Sequence, residues 1–145
     1  MDNDGIIVGF TGSREGMAIK QKLTLRAFLK KNATQFIHGD CEGSDEEAHY
    51  IAEELKLSIL IYPPQDVKHQ AFCAQKSAYK LIVSFKPQPY LKRNKSIVSM
   101  CDVLCATPAT MREQLRSGTW STVREARRQS KQLMIILPDG TISRK

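Results

Sequence analysis

Three loops of the sequence combine glycine with hydroxyl, basic or acidic side chains, a composition typical of phosphate-binding turns. The first loop is GFTGSREG, which contains Gly12, Ser13 and Arg14. The second is HGDCEGSD and the third is SGTWSTVREAR. Glycine lets the backbone approach a ligand closely, and free N–H groups at the start of a helix favour an anion. Each loop therefore predicts an anion site where a helix begins.

The second loop supplies Gly39, Asp40, Gly43 and Asp45. Its glycine spacing does not match the GxGxxG dinucleotide fingerprint, and Asp40 is the residue available to hydrogen-bond a ribose. Asp45 stands where a helix should start, so it either complements the helix dipole or faces a ligand. We include these four residues in the candidate site.

The third loop places small and hydroxyl-bearing residues in the first turn of a helix. Gly118 allows close approach, and the hydroxyls of Thr119, Ser121 and Thr122 could accompany the N–H groups around a phosphate. Trp120 is either a base-stacking residue or a core residue. We include all five residues in the candidate site.

The segment YLKRNKSIVSMC places a polar amide among apolar residues. At helical spacing, Asn94 shares a face with Tyr90, Ile97 and Cys101. A buried amide must be hydrogen-bonded, so Asn94 contacts either backbone or a ligand. Arg93 beside it could bind a phosphate through two parallel hydrogen bonds.

Apolar runs that read as strands alternate with helical segments along the chain. The predicted strands cover residues 5–11, 34–40, 57–62, 80–85, 102–107 and 132–138. The predicted helices cover about 15–31, a segment opened by a Ser44–Glu47 capping box, 90–101 and the segment after 117, with a loop and one helix in 65–79. Alternation predicts an α/β fold, a single Rossmann-like doubly wound domain over 1–145 with a mainly parallel sheet. Ligands of such sheets bind beyond the carboxyl ends of the strands.

Composition narrows the class of protein. The net charge is +7, and residues 85–145 hold 12 Lys/Arg against 4 Asp/Glu, which suits a phosphate-bearing partner. No long apolar run or signal-peptide pattern occurs, so we expect a cytoplasmic protein with no membrane partner. The four cysteines form no CxxC pair, and no His/Asp/Glu cluster has ligand spacing. We therefore expect reduced thiols, no metal and no cofactor.

The segments GFTGSREGM, HGDCEGSDEEAH, YLKRNKSIV, ATP and SGTWSTVREAR occur in the order seen in the SLOG superfamily, which residues 5–140 resemble. That group unites the Lonely guy phosphoribohydrolases, the DNA-processing protein A family and many small Rossmann-like nucleotide-binding proteins. The resemblance implies a nucleotide or nucleotide-derived ligand at the carboxyl edge of the sheet, often in a homodimer. It also adds Thr107, in the ATP segment, to the candidate site.

Lonely guy enzymes hydrolyse the N-glycosidic bond of a nucleoside 5′-monophosphate with a glutamate in a GGxGTxxE turn and an arginine on the preceding helix. By resemblance, Arg93 matches the arginine and Gly118-Thr119 match the GT pair, but Thr122 stands at the glutamate position. A threonine hydroxyl neither stabilises an oxocarbenium-like transition state nor activates water well. The sequence therefore predicts binding of a phosphorylated nucleotide without hydrolysis.

Two alternatives stay open. The first is a divergent N-glycosidase whose carboxylate has moved to Asp45, Glu15 or Glu125. The second is a single-stranded nucleic-acid binder, as in the DNA-processing branch of the superfamily. The basic C-terminal half favours this second alternative, whereas an aromatic content of only 7% does not.

Overall fold

A seven-stranded sheet organises the chain, and a computed structural model describes residues 5–145 of it. Residues 1–4 of the predicted domain lie outside the described residues. The strands are β1 (Ile6–Gly12), β2 (Ala33–His38), β3 (Ser58–Ile61), β4 (Ile82–Ser84), β5 (Val103–Thr107), β6 (Gln132–Ile136) and β7 (Ile142–Ser143). The helices are α1 (Ile19–Asn32), α2 (Ser44–Glu54), α3 (Cys73–Lys76), α4 (Tyr90–Met100) and α5 (Gly118–Arg128).

The strand order β4-β3-β2-β1-β5-β6-β7 makes β1 the switch point of the sheet. From β1 to β4 the chain moves towards one edge, and it then returns to place β5 on the other side of β1. Every pairing is parallel except β6 with β7. The predicted α/β, Rossmann-like class is therefore confirmed, and the loops after β1 and β5 flank the crevice where such sheets bind ligands.

Two apolar layers fix the helices on opposite faces of the sheet. Leu25 and Leu29 of α1 pack with Ala48 and Ala52 of α2 on one face, together with Phe10 of β1. The other face holds Ile97 and Val98 of α4 with three residues of α5, namely Trp120, Val123 and Ala126. The two layers hold the helix starts after β1, β2 and β5 at one edge of the sheet.

The predicted start of α1 and the predicted capping box of α2 are wrong, although α2 does begin at Ser44. The helix does not begin near residue 15, because Ser13 Oγ accepts the N–H of Glu15 in a turn and α1 begins only at Ile19. Glu47 does not close a capping box either. Its carboxylate accepts the N–H of Met17 at 2.7 Å, whereas Ser44 Oγ donates to the carbonyl of Ser13 at 2.6 Å. Both side chains tie α2 to the loop after β1.

Two short elements complete the chain. The segment 65–79, predicted as a loop with one helix, contains a 3-10 turn over Val67–His69 and the short α3. The hairpin strand β7 was not predicted, and Gly140 at φ +88° makes the turn before it. In residues 5–145, the helices are too short or too polar to span a membrane.

Candidate functional site

A cleft of about 950 Å³ lies at the carboxyl edge of the sheet, between the loops after β1, β2 and β5. The N–H of Ser13 donates to the carbonyl of Thr107 at 3.2 Å, which joins the first loop to the end of β5. The N–H of Ser44 donates to the carbonyl of Ser13 at 2.9 Å, which joins the second loop to the first. These bonds hold the first two loops and the end of β5 as one framework.

The structure brings many of the predicted residues to this cleft. The lining includes Gly12, Ser13, Arg14, Gly39, Asp45, Arg93, Asn94, Gly118 and Thr119. They come from four separate segments, which shows that the parallel topology collects them. We name two parts of the lining for the description that follows. The floor consists of Gly39, Cys41, Asp45, Arg93 and Asn94, and the rim consists of Arg14, Glu15, Glu42, Asp66, Lys68 and Arg116.

Arg93 is the central side chain of the floor and is only 2% exposed. Its Nη1 donates to the carbonyls of Gly39 and Tyr62, the second at 3.3 Å. Its guanidinium also lies over the ring of Tyr90, with Cζ 4.9 Å from the centroid. Gly39 must be glycine because a Cβ there would overlap the guanidinium. The expectation that Arg93 holds a phosphate needs correction, because most of its donors already bind the protein.

Asp45 is buried at the start of α2, where its Oδ2 accepts the N–H of Cys41 at 3.1 Å. Burial raises its pKa to about 6, although the nearby charge of Arg93 works in the opposite direction. Its second oxygen, Oδ1, has no hydrogen-bond partner. Asp45 thus presents an unused acceptor at the floor.

Asn94 presents an unused donor at the same floor. Its Oδ1 accepts Arg93 Nε at 2.9 Å, and because an N–H cannot donate to an amide nitrogen, this bond also fixes the amide orientation. Its Nδ2 is buried without a partner. Asn94 is thus buried on the inner face of α4, but its hydrogen-bond partner is the Arg93 side chain and not the backbone. Tyr90, expected on that same face, is instead 50% exposed and lines the cleft.

Within residues 5–145, the buried side-chain atoms without a partner are Asp45 Oδ1, Asn94 Nδ2 and Thr107 Oγ1. Buried polar groups are normally hydrogen-bonded, and leaving one unpaired costs about 1–3 kcal/mol. Two of these atoms belong to the floor, and Thr107 ends β5 beside Gly12, where a Cβ would overlap its hydroxyl. Two of the three unpaired atoms therefore belong to residues that line the cleft.

Two predicted residues of the second loop and one at the end of β5 do not line the cleft. Asp40, expected to contact a ribose, accepts Cys73 N at 3.0 Å and Gln70 Nε2 at 2.9 Å, so its carboxylate anchors the segment before α3. Gly43 adopts φ +85° with the backbone of Arg14 against it, so its role is steric. Thr107 is fully buried under the loop after β1.

Three predicted residues of α5 also lie away from the cleft. Trp120 is a core residue whose Nε1 donates to Thr110 Oγ1 at 3.1 Å. The hydroxyl of Thr122 donates to the carbonyl of Gly118 at 3.0 Å, inside the helix. Ser121 lines a separate pocket of about 270 Å³. Of the helical residues in this segment, only Gly118 and Thr119 therefore line the cleft, because the helix turns the later ones away.

Glu125 belongs to the same separate pocket as Ser121. Its carboxylate accepts hydrogen bonds from Arg128 Nη2 at 2.8 Å and Gln129 Nε2 at 2.9 Å, which lower its pKa. Because Glu125 does not line the cleft and its carboxylate is already paired, we no longer consider it a candidate for the relocated catalytic carboxylate. Of the three candidates, Asp45 and Glu15 remain in the cleft.

The rim carries both signs of charge, since it includes Arg14, Lys68 and Arg116 as well as Glu15, Glu42 and Asp66. All six side chains are exposed. Sequence reasoning missed Lys68 and Asp66, because they belong to the irregular segment 65–79 that no periodicity places. It missed Arg116 because the residue sits in the loop after β5 among several other cations.

His38, His49 and Cys73 form a buried cluster whose possible ligand atoms lie within 4.8 Å of one another. The sequence shows no such grouping, because the three residues come from different elements. Their hydrogen bonds define a chain instead of a ligand set. Asp40 N donates to His38 Nδ1, which leaves the proton on His38 Nε2, 2.9 Å from His49 Nδ1. His49 Nε2 then donates to Glu53 at 2.7 Å.

No protein-family model matches the chain, and no curated protein matches it in sequence. Solved structures do match its fold. A molybdenum cofactor binding protein from the phototrophic bacterium Rippkaea orientalis aligns at 17% identity and TM-score 0.67, covering 94% of this chain and 78% of that one. DNA processing protein A from Streptococcus pneumoniae aligns at 17% identity and TM-score 0.64, covering 90% of this chain and 50% of that one.

A third structure, the structural-genomics target TM1055, aligns at 14% identity and TM-score 0.62, covering 88% of this chain and 71% of that one. At such identities the likeness concerns the fold. The chain therefore shares the Rossmann-like α/β fold of these structures.

Proposed function

We propose that the cleft binds a phosphorylated nucleotide, or a signal molecule derived from one, without hydrolysing it. The observation that supports this proposal is the pair of unpartnered buried atoms, Asp45 Oδ1 and Asn94 Nδ2, in a cleft at the switch point of the sheet. A buried acceptor and a buried donor need a polar ligand, and the volume is of the size that small-molecule sites have.

The phosphate binds at the start of α5 in this proposal. Ser117 Oγ already accepts the N–H of Trp120, so the N–H groups of Gly118 and Thr119 are the ones that face the ligand. Arg14 and Arg116 of the rim add positive charge there. In this proposal Arg93 does not contact the phosphate. It positions Asn94 and the loop of Gly39 through its hydrogen bonds to them.

Binding without hydrolysis follows from the position of Thr122. Its hydroxyl is bonded inside α5 and does not reach the cleft, so it cannot replace the glutamate of the Lonely guy turn. A carboxylate next to the anomeric carbon is what glycosidic cleavage requires. A bound nucleotide should therefore remain intact.

Equilibrium dialysis against nucleoside 5′-mono- and diphosphates, followed by chromatography of both compartments, tests the proposal. We expect an intact nucleotide to be enriched on the protein side. Gly118→Val should abolish the enrichment, because its side chain would overlap the Tyr90 hydroxyl beside the helix start. Arg128→Ala, on the same helix and outside the cleft, should leave it unchanged. Absence of enrichment for every nucleotide would reject the proposal.

An N-glycosidase is the second candidate, and Asp45 favours it. This carboxylate is buried in the floor, and its pKa of about 6 suits a residue that takes up and releases a proton near neutrality. Asp45 would accept a proton from water as the water oxygen bonds to C1′ and the base leaves with the electrons of the N-glycosidic bond. Free base in the dialysis, absent with Asp45→Asn, would establish this activity and overturn binding without hydrolysis.

We also propose that the chain forms a homodimer through the β4 edge of the sheet. Among residues 5–145, β4 has no neighbouring strand on its outer side, and Val83 is exposed on it with Leu81 and Phe85 exposed beside it. Exposed apolar residues on an unpaired edge strand favour association. Light scattering should report twice the monomer mass, and Val83→Lys should reduce it to the monomer mass.

A further inference from the structure

We infer that Asp45 and Asn94 together recognise a hydroxyl group of the ribose, which makes the ligand a ribonucleotide and not a deoxyribonucleotide. This inference rests on the proposed function. It concerns the two floor residues whose side chains are at least nine-tenths buried and still have an unpaired polar atom. They line the same cleft from different elements, α2 and α4.

The free atom of Asp45 can only accept a hydrogen bond when the group is ionised. Its other oxygen accepts Cys41 N at 3.1 Å, which keeps the carboxylate in one orientation. A phosphate or carboxylate of a ligand would place negative charge against Oδ1 without a proton between them. The group that contacts Asp45 must therefore be a donor.

The free atom of Asn94 can only donate. Its Oδ1 is occupied by Arg93 Nε at 2.9 Å, and Arg93 is itself held by the carbonyls of Gly39 and Tyr62. Rotating the amide would break this bond and bring two donors together. The group that contacts Asn94 must therefore be an acceptor.

A ribose hydroxyl can satisfy either requirement, because it donates one hydrogen bond and accepts others, and the two hydroxyls of one ribose can satisfy both. The edge of a base also offers a donor beside an acceptor, so position decides between the two. Tyr90 connects the helix start to the floor, since its hydroxyl lies against Gly118 and its ring lies 4.9 Å from Arg93 Cζ. The floor is thus one tyrosine side chain away from the phosphate position. In a nucleotide the ribose hydroxyls lie nearer the 5′-phosphate than the outer edge of the base does.

The test compares AMP, GMP, CMP and UMP with their 2′-deoxy and 3′-deoxy counterparts by titration calorimetry. We expect removal of one of the two hydroxyls to weaken binding about tenfold or more, because Asp45 and Asn94 are then left unpaired. In Asp45→Asn and Asn94→Leu the ribo and deoxy forms should bind with similar affinity. Glu54→Gln, an exposed carboxylate at the other end of α2 and outside the cleft lining, should keep the full preference.

Each other outcome has a defined meaning. Equal binding of ribo, 2′-deoxy and 3′-deoxy nucleotides by the wild type would overturn the inference and leave the proposed function standing. A sugar preference that persists in both floor variants, with loss of discrimination among bases, would overturn it in favour of a base contact. If none of the twelve nucleotides binds, both the proposed function and the inference fail. Thermal unfolding of each variant shows that it is folded.

Discussion

The floor and the rim of the cleft face the same space but differ in burial and in hydrogen bonding. In the floor, Arg93 is 2% exposed and Asp45 is 5% exposed, and Asp45 Oδ1 and Asn94 Nδ2 are buried without a hydrogen-bond partner. In the rim, Arg14, Lys68 and Arg116 are exposed and share the lining with exposed carboxylates. Desolvated contacts are strong and directional, whereas exposed charges are screened and worth little. The floor should therefore set specificity and the rim should adjust affinity.

The largest expected difference between floor and rim is in the free energy of unfolding, when Arg93 of the floor is replaced. Arg93→Met leaves the carbonyls of Gly39 and Tyr62 without their donor and Asp45 without a neighbouring positive charge. We expect the free energy of unfolding to fall by about 3–5 kcal/mol. Urea denaturation measures it, with Arg116→Met of the rim expected to change it by less than about 0.5 kcal/mol. Equal midpoints for the two variants would contradict the structural role of Arg93.

Replacing Asp45 should cause the next largest change in the free energy of unfolding, and the size of this change should depend on pH. The pKa of about 6 in the folded protein lies above the ordinary value of 3.8, so the folded state binds the proton more tightly than the unfolded state. Stability is therefore lost as pH rises from the unfolded to the folded value. Asp45→Asn does not ionise, so it should be more stable than the wild type by about 1–3 kcal/mol at pH 7.

This difference should shrink as the pH is lowered to about 4, where Asp45 is protonated in the folded protein. Urea denaturation at both pH values measures it. Asp66→Asn provides the control, since this rim carboxylate is exposed and serves as a cap that accepts Lys68 N. A difference that is the same at both pH values would show that the charge of Asp45 is not its cause.

The fold followed from sequence to a large extent because its signals are local. Apolar runs, turn residues and capping signals located the strands from β1 to β6 and the helices α2, α4 and α5. The misplaced start of α1 came from Ser13, whose hydroxyl caps a turn instead of the helix. The two-residue β7 was missed because so short a strand has no periodicity.

The site was harder to predict because side-chain direction is not a local property. The glycine-rich loops identified the correct edge of the sheet, but only contacts decide which side chains face the ligand. In the sequence, Arg93 and Asp40 look free to bind a ligand. In the structure, Arg93 donates to the carbonyl of Gly39, and Asp40 accepts the N–H of Cys73. Lys68 lines the cleft although nothing in its own segment indicates it.

A third change tests whether Gly118 and Tyr90 together leave room for the phosphate at the start of α5. Gly118→Ala should weaken nucleotide binding about tenfold, because the new methyl group overlaps the Tyr90 hydroxyl and displaces the ring over Arg93. The double variant Gly118→Ala/Tyr90→Phe removes that hydroxyl and should regain most of the affinity. Calorimetry with the best-bound nucleotide measures both. Failure of the second change to rescue the first would mean that the backbone at Gly118, not Tyr90, needs the space.

The smallest expected effect belongs to the rim, and it separates a nucleotide ligand from single-stranded DNA. Arg14→Ala should reduce nucleotide affinity only about threefold, since an exposed cation acts through screened attraction. Salt should weaken wild-type binding slightly, whereas binding to a DNA strand releases many counterions and falls steeply with salt. A steep decline, reduced by Arg14→Ala and Arg116→Ala together, would make the rim the main binding surface. Affinity that depends on Asp45 and Asn94 and barely on salt would instead locate recognition in the floor, where the unpaired atoms are.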